Sequence, residues 1–136
     1  MKYQAIAAAL IGGALLMGGP AGPAAAGQLS GVWSTQKGWH VRMHRCGGAW
    51  CGTILSARGS KDTHNPNPKL RNRPMKGVRL LWGLKKSGNG WRGKLYNPND
   101  GKVYTGKIVT AGATLKLSGC VLGGLICKSQ TWRRVR

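Results

Sequence analysis

The sequence predicts an all-β domain, a small eight-stranded antiparallel barrel with up-and-down connectivity. Three observations point there. Short apolar runs alternate with polar residues at a period of two, no segment sustains a helical period, and turn residues fill most of the gaps. Closing such a sheet on itself leaves no strand edge exposed. A two-sheet sandwich is the competing arrangement.

Residues 1–26 read as a secretory leader. Lys2 supplies the positive start, residues 5–17 an apolar core, and Ala24-Ala25-Ala26 a cleavage site ahead of Gly27. The apolar run is short of the roughly 20 residues a spanning helix needs, and no cysteine stands at the new N-terminus to carry a lipid. Removing 26 of 136 residues leaves about 110, residues 27–136, which is one domain with a modest core. The leader assigns it to the periplasm or the exterior.

Eight strands are expected over residues 31–36, 39–45, 50–57, 78–85, 90–96, 102–110, 114–121 and 126–135. Val78, Leu80, Trp82 and Leu84 form one face of the fourth, with Arg79 and Lys85 opposite; Leu115, Leu117 and Val121 oppose Thr114, Lys116 and Ser118 in the seventh. Lys37-Gly38, Gly88-Asn89, Asn97 to Gly101 and Ala111-Gly112 suit tight hairpins.

One connection is long. Residues 58–77 carry Pro66, Pro68 and Pro74, each of which fixes a backbone angle and biases its predecessor toward extension. This Pro/Arg-rich loop is read as stiff and non-helical, with Arg71 and Arg73 on one side of an extended segment. Loops of this length in compact domains usually carry function, and this one is placed over a barrel mouth.

Cys46 and Cys51 bracket Gly47-Gly48, and Cys120 and Cys127 bracket Gly123-Gly124. Four cysteines allow three connectivities; pairing within each close pair, so that turns staple neighbouring strands, is the one chosen.

Lysine and arginine number 22 against two acids, Asp62 and Asp100, giving a formal charge of +20. Such a charge attracts polyanions and anionic surfaces. Lys69, Arg71, Arg73 and Lys76 bring it to the stiff loop as a candidate anion site.

Two distant segments belong together. Gly31-Val32-Trp33 opens the first strand, and Trp132-Arg133-Arg134 lies in the last. An indole plugging the narrow end under a guanidinium resembles the barrel closure of lipocalins and their relatives. If Cys127 points outward, alternation turns Trp132 and Arg134 inward and makes Arg134 the stacking residue. A longer pattern is more specific: Cys46-Gly-Gly-Ala-Trp-Cys51-Gly, Asp62-Thr-His-Asn-Pro-Asn-Pro-Lys-Leu-Arg71-Asn-Arg73-Pro74, Gly83-Leu-Lys85, Gly101-Lys-Val-Tyr104 and Gln130-Thr-Trp132 follow in order. Together they resemble the exported bacterial family catalogued as domain of unknown function 2147. The resemblance implies a small lipocalin-like barrel and no established activity. Asn67 and Gln36-Lys37 stand where that family commonly has acids, so the strong basicity is this member's own.

Catalysis finds little material. Two carboxylates in separate loops do not make a glycosidase pair. Asp62 suits a salt bridge to the nearby arginines, and Asp100 before Gly101 suits turn chemistry. His40 and His44 are separated by roughly 13 Å along a strand, with Arg42 between them, so no metal site is expected. No cofactor is implied. Trp33, Trp82 and Trp132 are assigned to the core; Trp39, Trp50 and Trp91 are candidates for a rim, interleaved with Arg42, Arg45, Arg92 and Lys94 as in single-strand binders. Export argues against nucleic acid. The reading is a non-catalytic envelope binding module for an anionic lipid or polysaccharide, with peripheral contact to anionic membranes. A structural or protein-binding barrel with a packed interior is the alternative.

Overall fold

A computed structural model describes residues 28–136, so the expected leader lies outside the described residues. The strands are β1 (Gly31–Ser34), β2 (His40–Cys46), β3 (Ala49–Ser56), β4 (Arg79–Ser87), β5 (Gly90–Asn97), β6 (Lys102–Ala111), β7 (Thr114–Val121) and β8 (Ile126–Arg134). They close into one barrel in chain order. The seam is the antiparallel pair β1/β8, with Trp33 opposite Arg134 and Ser34 opposite Arg133. Closure rules out the sandwich.

Neighbours run antiparallel in sequence order, so the connections alternate between two ends of the barrel. The β2–β3, β4–β5 and β6–β7 turns share the base with the start of β1 and the end of β8. The β1–β2 turn, the long β3–β4 loop, the β5–β6 turn and the β7–β8 connection ring the opposite end, called here the mouth.

Alternation fills the interior, with Val41, Met43, Ile54, Ile108, Leu115 and Leu117 in one buried cluster. β4 departs from its expected frame. Leu81 pairs with Leu95 and Trp82 with Lys94, and the register then shifts before Lys85. This irregularity around Gly83 lets Leu81 and Leu84, three residues apart, both be fully buried. Trp82 is left half-buried at the core's margin, whereas Trp33 and Trp132 are inside as expected.

The β3–β4 loop also differs from its expected extended form. Pro68–Leu70 forms one 3-10 turn, with the Asn67 side chain accepting from the Lys69 N–H at 3.0 Å. A proline at the first position of such a turn sacrifices no hydrogen bond, and the asparagine cap satisfies a donor that an extended chain would leave to water. Arg71 and Arg73 therefore do not form a simple alternating face.

Both disulfides join the expected pairs, Cys46–Cys51 and Cys120–Cys127. Structural disulfides fit an extracytoplasmic setting.

Candidate functional site

The base is sealed by residues around β1 and at the end of β8. The Arg134 guanidinium lies over the Trp33 ring, 4.3 Å from its centroid. It also donates to the carbonyls of Ser30, at 2.7 Å, and Gln28. Trp33 in turn donates through Nε1 to the Leu29 carbonyl at 3.1 Å. Gly31 is dictated by this crowding. A Cβ there would sit 2.5 Å from the Arg136 carbonyl oxygen and 2.8 Å from Arg134 Nη1, and its φ of +121° disfavours any side chain.

At the mouth, the long loop is anchored by a buried carboxylate. Asp62 is fully buried. It accepts from the Tyr96 hydroxyl at 2.6 Å, from Asn65 Nδ2 at 2.8 Å and from Arg73 Nε at 2.9 Å, with Arg73 Nη2 at 2.8 Å completing an ion pair. Burial pushes its pKa up, but the hydrogen bonds from Tyr96, Asn65 and Arg73 and the charge of Arg73 outweigh this and hold it below its ordinary value. Burial and the bond to Asp62 push the Tyr96 phenol up to about 12. Asp62 is thus a structural anion.

Of the four loop cations, Arg73 is committed to Asp62, and Arg71 Nε donates to the Asn65 carbonyl at 2.7 Å. Lys69 and Lys76 are exposed. None of the four lines the cavity that opens inside the barrel.

That cavity measures about 700 Å³ and lies between the β1–β2 turn, the β5–β6 turn and the inner faces of β5 to β8. Leu95, Leu117, Val121, Ile126 and Trp132 give it apolar walls. Lys128 and Gln130 belong to it by register, opposite Gly119 and Leu117. Gln130 Oε1 accepts from Trp132 Nε1 at 2.7 Å, and its amide nitrogen has no partner among the described residues. Among the described residues no hydrogen bond or ion pair engages the Lys128 ammonium. At the rim, Lys37 donates to Asn99 Oδ1 at 2.7 Å, bridging two mouth turns, and stacks over Trp39 at 5.1 Å. Asp100 is the acid on this wall. Its charge is taken up by the Tyr104 hydroxyl and the Lys102 N–H.

A family model described as an uncharacterized protein conserved in bacteria, DUF2147, matches residues 31–134. The chain belongs to the DUF2147 family. Protein HP1028 from Helicobacter pylori, described as belonging to the lipocalin family, is similar to this DUF2147 barrel at 32% identity and a TM-score of 0.70. The match covers 79% of this chain and 83% of that one. Among curated proteins, none matches.

Other residues singled out in the sequence have local partners. Arg45 stacks on Trp50 at 5.3 Å and Lys86 on Trp91 at 4.5 Å, so both of these indoles are engaged by a cation of the same fold. His44 Nε2 bonds Thr53 Oγ1 at 2.9 Å. Among the described residues no three His, Cys, Asp or Glu side chains converge on a metal-sized point. Lys128 and Gln130 were the residues that sequence reasoning missed. The signal was present, because the alternation that turns Trp132 inward turns them inward too.

Proposed function

We propose that this barrel is an exported, non-catalytic binding module whose cavity takes an amphiphile with an apolar body and an anionic head. The observation that carries the reading is a space of about 700 Å³ lined by Leu95, Leu117, Val121, Ile126 and Trp132, on which the exposed Lys128 has no hydrogen-bond or ion-pair partner among the described residues. That volume falls in the range of about 300–1,000 Å³ typical of small-molecule sites. The apolar walls favour a tail by burial, while Lys128 and the free Gln130 amide supply donors to a carboxylate or phosphate head. The cavity counts against the packed, purely structural alternative.

The loop cations take a different part from the one expected of them. Arg71 and Arg73 brace the loop, and exposed Lys69 and Lys76 add to the long-range field that draws anions to the mouth. The test is a titration with a long-chain acyl carboxylate and an acyl phosphate, followed by tryptophan fluorescence. Saturable one-to-one binding that weakens about tenfold in Lys128→Gln supports the reading, since a charge-assisted bond contributes about 1.5–3 kcal/mol. Absence of saturation with either probe rejects it.

A further inference from the structure

The β7–β8 connection is unlike the other mouth turns. Leu122–Gly124 forms a short 3-10 turn, and around it Leu122, Leu125 and Ile126 are 67%, 85% and 58% exposed. Val121, which pairs with Ile126, is also exposed. Leu122 and Leu125 thus form an exposed apolar tip, Val121 and Ile126 stand at its foot on the cavity side, and the Cys120–Cys127 disulfide ties its two stems together. Among the described residues nothing covers Leu122 and Leu125. Exposing such a cluster is unfavourable in water unless something apolar receives it.

Cations stand beside the tip. Lys107 Nζ reaches the Gly124 carbonyl at 3.4 Å from β6, and Lys128 follows directly in β8. No acid lies in residues 101–136, and the whole chain carries +20. An apolar point with lysines beside it on a strongly basic chain matches the layering of an anionic bilayer, with phosphates at the surface and hydrocarbon beneath. We propose that this protein docks mouth-first on membranes rich in anionic lipid, with Leu122 and Leu125 entering the acyl boundary.

The overall charge by itself specifies no orientation, because cations occur at both ends of the barrel. The tip supplies one. Val121 and Ile126 adjoin the tip and also line the cavity, so apolar side chains lead from the docked edge into the barrel. An amphiphile would then pass between bilayer and cavity without exposing its tail to water. The docking itself does not depend on the cavity's cargo, and its test can fail or succeed independently of the acyl titration.

The experiment is co-sedimentation of the purified protein with vesicles of phosphatidylglycerol and phosphatidylethanolamine, and with pure phosphatidylcholine vesicles, at moderate salt. The docking predicts binding to the anionic vesicles and little to the neutral ones. Leu122→Ser combined with Leu125→Ser should weaken binding by about tenfold or more, because exposed residues can be changed without loss of the core. Val109→Ser, an exposed aliphatic near the base, should leave it unchanged. Binding to anionic vesicles that the double variant does not alter means adhesion by charge alone and overturns the proposal. So does an equal loss in Val109→Ser, or no binding to anionic vesicles at all. Concentration-dependent dimerisation abolished by the double variant, without vesicle binding, assigns the tip to a second copy and overturns it as well.

Discussion

Replacing Asp62 with alanine removes the anchor of the mouth loop. The carboxylate receives Tyr96, Asn65 and Arg73 at 2.6 to 2.9 Å. Tyr96 and Asn65 are buried and would lose their acceptor outright, at about 1–2 kcal/mol each. The Arg73 side chain is 36% exposed and regains water, so its contribution is discounted. Together these set an expected loss of about 3 kcal/mol, or about 12 °C in melting temperature for a domain of this size. Asp62→Asn keeps the volume and one acceptor and should cost roughly half as much. The assay is thermal unfolding by circular dichroism at neutral pH for wild type, Asp62→Ala, Tyr96→Phe and the double variant. A coupling of at least about 1 kcal/mol between the two positions is expected. A melting point lowered by less than about 3 °C, or strictly additive losses, would show that the loop holds without its carboxylate.

Arg134→Ala should lower the melting temperature by about 8–12 °C, from two lost bonds to backbone carbonyls and one lost stack. Arg134→Lys should recover less than half of that, since an ammonium cannot fork to both carbonyls; full recovery would contradict the closure geometry. Alkaline titration of phenolate absorbance should show a late step near pH 12 that vanishes in Tyr96→Phe. Because the native phenol is raised, its contribution to stability is complete below pH 10 or so and is lost as pH climbs through about 12. The lowered Asp62 acts in the opposite sense: its contribution is present above about pH 4 and disappears as pH falls through its native value. Gly101→Ala should loosen the mouth loop, because a Cβ there would lie 2.0 Å from the His64 carbonyl oxygen at a φ of +72°. Limited proteolysis within residues 58–77 should then be faster than in wild type; equal rates would refute the contact.

The barrel was legible because its evidence is local. Alternation in β7 and β8, the turn residues and the cysteine spacing each act over fewer than ten residues or so, and they agree with one another. β4 was misframed because strict alternation cannot anticipate an irregularity, and Gly83 inside a strand was the only local warning. The Asp62 anchor was half legible. Arg73 stands 11 residues away and was named, whereas Tyr96 lies 34 away on another strand and carried no mark in the sequence. The cavity was not legible at all. Its volume is the difference between the space that eight tilted strands enclose and the side chains that fill it, and neither quantity is written in a residue pattern.

The seam between β1 and β8 has a consequence for how the chain reaches its final form. Hairpins from β2 to β8 join sequence neighbours, but Arg134 meets the Ser30 and Gln28 carbonyls across 104 and 106 residues. Such distant pairings bear the largest loop-closure entropy and lag behind local ones. On a ribosome or a translocation pore that delivers the N-terminus first, the cylinder must stay an open, curled ribbon until its final residues emerge. Any truncation that removes them should leave a sheet with two raw edges, open to strand addition by other chains.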